Sequence, residues 1–84
     1  MKVKITKRVA AVEEIPIHTE FIKLQDFLKF ANAVESGGMA KTVILAEDVL
    51  VNGEVCTMRG KKLRPGDIVS FNGGQWQVTA DAAE

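Results

Sequence analysis

Hydrophobic residues between positions 21 and 34 recur at steps of three and four, which is the spacing of one face of an α-helix. The charged residues Lys23, Asp26 and Lys29 fall on the other faces of such a helix. Thr19 or Glu20 stands just before the pattern and is a suitable helix start, so an amphipathic first helix is predicted directly after them. Its apolar positions are Phe21, Leu24, Phe27, Leu28, Ala31 and Val34.

A short break separates this helix from a second one. Ser36, Gly37 and Gly38 interrupt the pattern, and a serine just before a new apolar run is a preferred N-cap residue. The second helix would carry Met39, Ala40, Val43 and Ile44, and it can extend to Glu47. Two short helices joined in this way predict a helical hairpin.

Four strands are predicted after position 48, near residues 49–51, 54–57, 68–71 and 75–79. Asn52-Gly53 joins the first two, because this pair readily supplies the two positive φ angles of a type I′ turn. Pro65-Gly66-Asp67 predicts a turn before the third strand, and Gly73-Gly74 predicts one before the last. Trp76 in the last strand is expected to pack against the sheet, with base stacking as the alternative.

Two extended pieces are predicted before the first helix. Apolar and polar residues alternate from Lys2 to Thr6, which predicts a half-buried edge strand. Ile15-Pro16-Ile17 predicts a second extended piece, because proline lacks an N–H and pushes the preceding residue toward extended geometry.

The predicted fold class is therefore α+β, with a two-helix hairpin packed on a small, mostly antiparallel sheet that has an N-terminal strand extension. Residues 1–84 are expected to form a single domain with one core. The tail from Ala80 to Glu84 is expected to fray.

Positive charge is concentrated in one part of this chain. Its eleven basic and eleven acidic residues give a formal net charge of zero at pH 7. Yet residues 58–64, which we call the basic segment, contain Arg59, Lys61, Lys62 and Arg64 and no acidic residue. Solvated faces usually interleave both signs, so the basic segment predicts a phosphate-binding surface. The neutral total argues against a non-specific polycation and confines such binding to one face.

Composition narrows the function classes further. A single cysteine, Cys56, and a single histidine, His18, offer no recognisable zinc site and no intramolecular disulfide. Both are expected to be structural, since neither belongs to a nucleophile–base motif. No apolar run approaches the ~20 residues of a membrane span, and the first residues lack the apolar core of a signal peptide. We therefore expect a cytoplasmic protein with no cofactor, no metal and no catalytic residues.

The order of these motifs resembles a known family. Lys23-Leu24 with Phe27-Leu28 is similar to its opening Arg-Leu-Asp-x-x-Leu, Ser36 through Lys41 to its Ser-Arg-x-x-Ala-Arg, and Val49–Gly53 with Lys62–Val69 to its closing half. The family is the RNA-binding domain of the small-subunit ribosomal protein four type, also called the alpha-L motif. The resemblance spans about residues 21–71, and the Gly37-Gly38 pair is most similar to small stand-alone bacterial members of the YaaA and YbcJ type.

The chain departs from the family pattern at several positions. Gly37 stands where an arginine is usual, and Gln25 replaces the aspartate of the first helix. Lys23 and Lys41 also replace arginines. Since lysine cannot form the bidentate phosphate contact of arginine, contacts at these positions are expected to be weaker or differently placed.

Three sources of positive potential are predicted to converge on RNA. The start of the second helix offers N–H groups at Gly37, Gly38 and Met39, and the two glycines admit a phosphate closely. A plain capped turn explains the same residues equally well. Lys41, one turn further on, is the second source, with simple solvation as its alternative. The Asn52-Gly53 hairpin and the basic segment form the third. The predicted RNA-binding residues are Lys23, Ser36, Gly37, Gly38, Lys41, Asn52, Arg59, Lys61, Lys62 and Arg64.

The combined motif and local charge predict a non-enzymatic, monomeric protein that binds structured RNA, of ribosomal or transfer type. The alternative is a protein-interaction or β-grasp carrier-like module without RNA binding, because a Val-Asn-Gly-Glu turn and a Gly-Asp-Ile-Val strand also occur in small β-grasp sulfur carriers. Those carriers need a C-terminal Gly-Gly, so the ending Asp81-Ala82-Ala83-Glu84 weighs against this alternative.

Overall fold

The computed structural model describes residues 12–81. Its elements are, in chain order, β1 Val12–Ile17, β2 Ile22–Lys23, α1 Leu24–Phe30, α2 Gly37–Leu45, β3 Val49–Val51, β4 Glu54–Val55, β5 Lys62–Leu63, β6 Ile68–Phe71 and β7 Gly74–Ala80. The predicted α+β class, with two helices packed on a mostly antiparallel sheet, is confirmed. The strand predicted at Lys2–Thr6 lies outside the described residues, as do residues 82–84 of the predicted frayed tail. The predicted fraying is wrong at Ala80, which is the last residue of β7 and pairs with Ile17.

Five strands form the main sheet, in the order β1-β7-β6-β3-β4. Its neighbouring pairs are antiparallel except for β1, which runs parallel to β7 with Ile15 opposite Val78. Pro16 lacks the N–H that a central strand needs, and β1 accommodates it because it is an edge strand of the sheet formed by residues 12–81. The predicted extended piece around Pro16 is thus confirmed as part of a longer edge strand.

The hydrophobic core lies between the two helices and one face of the main sheet. Phe27 is its largest fully buried side chain, and no polar or charged side chain is buried among residues 12–81. Trp76 is partly buried and packs against this core, as predicted. The buried hydrophobic residues are Ile15, Ile17, Leu24, Phe27, Leu28, Ala31, Val34, Ala40, Ile44, Val49, Val51, Leu63, Val69 and Val78.

The first helix starts later and ends earlier than predicted. Ile22 and Lys23 pair with β5 as a short strand, so α1 begins only at Leu24. Thr19 does not cap the helix, because its hydroxyl donates to the carbonyl oxygen of Phe21 over 2.6 Å. The predicted start after Thr19 or Glu20 is wrong for a physical reason: an apolar residue in a strand that leads into a helix can fall in phase with the helical pattern.

A residue in the left-handed conformation follows each helix. Asn32 follows α1 with a φ of 61°, and Glu47 follows α2 with a φ of 66°. After α2, the N–H of Glu47 donates to the carbonyl of Ile44 and that of Asp48 donates to the carbonyl of Val43, each over 3.1 Å. This pattern is a Schellman C-cap, in which glycine is the usual left-handed residue. Glu47 therefore lies beyond the helix, and its predicted place within α2 is wrong.

Tight turns join the antiparallel strands. Asn52 and Gly53 have φ angles of 53° and 87°, which confirms the predicted type I′ turn. Asn72 and Gly73 form the second such turn, with φ angles of 52° and 86°, so it lies one residue earlier than predicted. Gly74 is instead the first residue of β7. It leaves room for the neighbouring indole, since a Cβ there would lie 2.7 Å from Cη2 of Trp76.

No helix within residues 12–81 is long and apolar enough to cross a membrane.

Candidate nucleic-acid interface

The basic segment is fixed to the start of α1 by backbone hydrogen bonds. The N–H of Leu24 donates to the carbonyl oxygen of Lys61 over 2.9 Å, and that of Gln25 donates to the carbonyl of Arg59 over 3.1 Å. Unsatisfied N–H groups at a helix start need acceptors, and here the main chain of the basic segment supplies them. The charged side chains of this segment therefore project from a backbone that is held in place.

The β2–β5 ladder arranges three cations on one face. Lys23 is opposite Lys62 in the register, and Ile22 is opposite Leu63. Since side chains alternate along a strand, the fully buried Leu63 faces the core while Lys62 and Arg64 face outward. Directly opposite residues share a face, so Lys23 lies on the outward side as well.

An aromatic ring lies among these cations. The Nζ of Lys62 is 4.9 Å from the centroid of the Phe21 ring, and the Cζ of Arg64 is 6.0 Å from it. We call the outward face formed by Phe21, Lys23, Lys62 and Arg64 the basic ribbon. The prediction that Phe21 is a core residue of the first helix is wrong, because Phe21 precedes β2 and is half-buried.

The cations of the basic ribbon have no acidic partner among the described residues. Within residues 12–81, the only contact under 4.0 Å between a basic nitrogen and a carboxylate joins His18 Nδ1 to Asp81 Oδ2, at 2.9 Å. Neither residue belongs to the ribbon. The charges of the ribbon are therefore not neutralised at close range, which leaves them available to an anionic ligand.

A side-chain network orients the end of the ribbon. One carboxylate oxygen of Asp67 accepts from the backbone N–H of Arg64 over 2.8 Å, and the other accepts from the side-chain amide of Asn52 over 3.1 Å. The amide oxygen of Asn52 in turn accepts from the N–H of Ile68 over 3.0 Å. Both polar atoms of the Asn52 side chain thus have partners within the protein, and its backbone N–H donates to the carbonyl oxygen of Ile68 over 2.7 Å.

The start of α2 forms a second, separate feature. Ser36 Oγ accepts from the N–H of Met39 over 3.1 Å, which confirms Ser36 as the N-cap. Gly37 and Gly38 are exposed, and neither has a positive φ. A Cβ at Gly37 would meet nothing within 4 Å, and one at Gly38 would meet only Ser36 Oγ, at 3.9 Å. The fold itself therefore does not require glycine at these positions, and the pair leaves an open approach to the helix start.

The remaining predicted residues are also on the surface. Arg59 and Lys41 are exposed, whereas Lys61 is half-buried. Among the hydrogen bonds and ion pairs of residues 12–81, none joins the start of α2 to the basic segment. The structure thus brings Lys23, Lys62 and Arg64 together and ties Asn52 to them through Asp67. Gly37, Gly38 and Lys41 form their own group on α2.

Two residues of the candidate interface, Phe21 and Asp67, are not among the predicted site residues. The spacing of Phe21 fits the helical pattern and so predicts a core position, and Asp67 is predicted only as part of its turn. The signal for Asp67 was present in the sequence, since a carboxylate that follows Pro-Gly commonly binds nearby backbone N–H groups. No sequence signal distinguishes Phe21 from Phe27, which is fully buried.

The surroundings of the ribbon suit an extended ligand. Cavities of about 300 to 400 Å³ border the Asn72-Gly73 turn. This turn follows the C-terminal end of β6, whereas Arg64 precedes the N-terminal end of that strand. No ribbon residue lines these cavities. An open, charged strip of this kind contacts a polymer backbone more readily than it encloses a small molecule.

Comparison with known proteins identifies the family. The sequence model described as the S4 domain matches residues 15–79, which is most of the chain, and the protein therefore belongs to the S4 domain family. The predicted resemblance to the RNA-binding domain of small-subunit ribosomal protein four is confirmed.

Two relatives and one solved structure extend this comparison. The "Probable ribosome maturation protein RlbA" of Bacillus subtilis (strain 168) is 49% identical over 65 residues, which cover 76% of this chain and 92% of that protein. YbcJ of Escherichia coli (strain K12), named as a candidate RNA-binding protein, is 41% identical over 59 residues, covering 70% and 84%. The solution structure of YbcJ from E. coli, described as revealing an alpha-L motif involved in RNA binding, matches with a TM-score of 0.59 and 33% identity. That match covers 93% of this chain and 96% of the other.

Proposed function

We propose that this protein is a non-enzymatic RNA-binding protein that recognises structured RNA through its sugar–phosphate backbone and shape. The observation that carries the proposal is the basic ribbon, in which Lys23, Lys62 and Arg64 lie on one face without a carboxylate partner among residues 12–81. Membership of the S4 domain family supports the same function.

The chemistry of the ribbon fits RNA backbone better than base edges. An A-form helix hides its base edges in a deep, narrow major groove, so proteins recognise it mostly by shape, phosphates and 2′-hydroxyls. Arg64 can form two parallel hydrogen bonds to one phosphate, whereas Lys23 and Lys62 act as point charges. Arg59 and Lys61 add charge along the same segment. We therefore assign most of the binding free energy to phosphate contacts.

The start of α2 is proposed to bind a second part of the same RNA. Exposed N–H groups at a helix start attract anions, and the absent side chains of Gly37 and Gly38 let a phosphate approach closely. Lys41 lies on the exposed side of the same helix. Ser36 acts as the cap that orients this helix start. Asn52 acts through its hydrogen bond to Asp67, which in turn accepts from the backbone N–H of Arg64.

Ribosomal RNA is the proposed target class, with transfer RNA as the second. The support comes from the name of the B. subtilis relative, which assigns that protein to ribosome maturation. The proposal includes action in the cytoplasm as a monomer, with residues 1–84 working as a single binding domain whose core is about residues 21–71.

A titration of fluorescently labelled ribosomal RNA fragments in about 50 mM salt tests this function. Fragments with helical junctions are compared with an unstructured RNA of equal length and with a DNA duplex. The proposal expects the structured fragments to bind most tightly and all binding to weaken with salt. Binding to none of the nucleic acids would contradict it and would favour the protein-interaction alternative.

A further inference from the structure

Two cations of the basic ribbon share one aromatic ring. The Phe21 ring centroid lies 4.9 Å from Lys62 Nζ and 6.0 Å from Arg64 Cζ. The face of an aromatic ring is electronegative and attracts cations at these distances. Neither cation has a carboxylate partner in the described part of the chain, and the Phe21 ring is the group that both of them contact.

The position of Phe21 follows from the ladder. β2 and β5 are antiparallel with Ile22 opposite Leu63, so the residue before Ile22 comes to lie across from Arg64. Lys62 is two residues before Arg64, and the two side chains project on the same face. The register therefore places one ring within reach of both cations.

Phe21 does not serve the hydrophobic core. It is absent from the buried cluster, and it is also absent from the partly buried hydrophobic residues that pack against that cluster. A single hydrophobic side chain on a surface is common and is not informative by itself. What distinguishes Phe21 is the contact of its ring with two cations.

We propose that Phe21 is a positioning residue of the interface, whose ring holds Lys62 and Arg64 side by side before RNA arrives. The inference rests on the proposed RNA-binding function. Lysine and arginine side chains lose much rotamer freedom when a ligand fixes them. A ring that already restrains both of them lowers this loss and so strengthens binding.

Two substitutions at position 21 distinguish the effect of the aromatic ring from that of apolar side-chain volume. Phe21→Leu keeps an apolar side chain but removes the π face, whereas Phe21→Tyr keeps the face. Phe30→Leu is the matched control, because Phe30 is 56% exposed at the end of α1 and contacts neither cation. All variants are first checked for folding by circular dichroism and thermal unfolding.

The RNA titration is then repeated with each folded variant. We expect Phe21→Leu to bind structured RNA about 3- to 10-fold more weakly, as the loss of restraint on two side chains implies. Phe21→Tyr and Phe30→Leu should stay within about twofold of the wild type. The salt dependence of Phe21→Leu should match that of the wild type, because no cation has been removed.

A second measurement reports the ring–cation contact without RNA. In the NMR spectrum of the free protein, ring currents should shift the terminal side-chain protons of Lys62 and Arg64 upfield in the wild type and in Phe21→Tyr. These shifts should vanish in Phe21→Leu and persist in Phe30→Leu.

Two results would overturn the inference alone. They are a folded Phe21→Leu variant with wild-type RNA affinity, and a wild type without upfield shifts at Lys62 and Arg64. In either case the proposed function stands if the wild type binds RNA. Failure of the wild type to bind any RNA would overturn the function and the inference together.

Discussion

The side-chain amide of Asn52 donates a hydrogen bond to the carboxylate of Asp67 over 3.1 Å, and this contact joins two turns that are far apart in sequence. Asn52 belongs to the β3–β4 hairpin, while Asp67 follows the Pro65-Gly66 turn. The same carboxylate accepts from the N–H of Arg64. The hairpin turn thereby stabilises the backbone from which a cation of the basic ribbon projects.

The first prediction concerns this pair. Asp67→Ala should lower the free energy of unfolding by about 1–2 kcal/mol, because it removes acceptors from a backbone N–H and from an amide. Asn52→Gly removes the amide and its hydrogen bonds while glycine still adopts the positive φ, and relief of the left-handed conformation offsets part of the loss. The free energy of unfolding of the double variant should fall by less than the sum of the losses in the two single variants, since both substitutions break the same hydrogen bond.

Urea unfolding of the wild type, the two single variants and the double variant measures this coupling. Glu54→Ala, at an exposed position of β4, is the control for loss of a surface carboxylate and should change stability by less than about 0.5 kcal/mol. Additive losses at Asn52 and Asp67 would show that the two turns are independent.

The second prediction uses the left-handed residue after α2. Glu47 has a φ of 66°, which costs a side-chain-bearing residue free energy that glycine avoids. Glu47→Gly should therefore raise the free energy of unfolding by about 0.5–1 kcal/mol. Thermal or urea unfolding measures the change. A destabilised variant would mean that Glu47 makes a compensating interaction.

The third prediction separates stability from function at the start of α2. Since a Cβ at Gly37 would meet no atom within 4 Å, Gly37→Ala should stabilise the helix, by about 0.5 kcal/mol. The same Cβ would occupy the approach of a phosphate, so the affinity for RNA should fall. Stability is measured by urea unfolding and affinity by titration.

Glu47→Gly is the matched control for this experiment. It is expected to stabilise the other end of the same helix while leaving the helix start unchanged, so its RNA affinity should equal that of the wild type. If Gly37→Ala also retains full affinity, the Ser36-Gly37-Gly38 segment is a capped turn and not a phosphate site.

Much of the fold could be predicted from local signals in the sequence. Ser36 was correctly predicted as an N-cap, because the residue type and the apolar run after it fix that role. Asn52-Gly53 was correctly predicted as a type I′ turn, because few other pairs adopt two positive φ angles. Such features depend on residues that are neighbours in the chain, and the sequence displays them directly.

The predictions are wrong where contacts between residues far apart in the sequence determine the structure. Ile22 and Lys23 form a strand because Lys62 and Leu63 lie beside them, and the pattern around residue 22 contains no sign of that pairing. The outward position of Phe21 follows from the same ladder. The adjoining glycines predict a turn that includes Gly74. In the structure, glycine is needed at position 74 because a side chain there would collide with the indole of Trp76.

The candidate site also combines features that the local sequence predicts with features that depend on distant residues. Its charge was visible in sequence, because four of the eleven basic residues fall within residues 58–64. The addition of Lys23 to this charge depends on its place opposite Lys62, which only the register shows. The variants of Gly37, Lys62 and Arg64 test which of the predicted residues contact RNA.

The most direct test of the proposed interface is the salt dependence of RNA binding by the wild type and a Lys62→Ala, Arg64→Ala double variant. If four to six cations contact phosphates, log affinity should fall with log salt at a slope of roughly −3 to −5. Removing two contacts should make the slope shallower by about 1.4 to 1.8 and weaken binding at low salt. Lys29→Ala, an exposed cation in the last turn of α1, should leave both quantities unchanged. A folded double variant with the affinity and slope of the wild type would contradict the account.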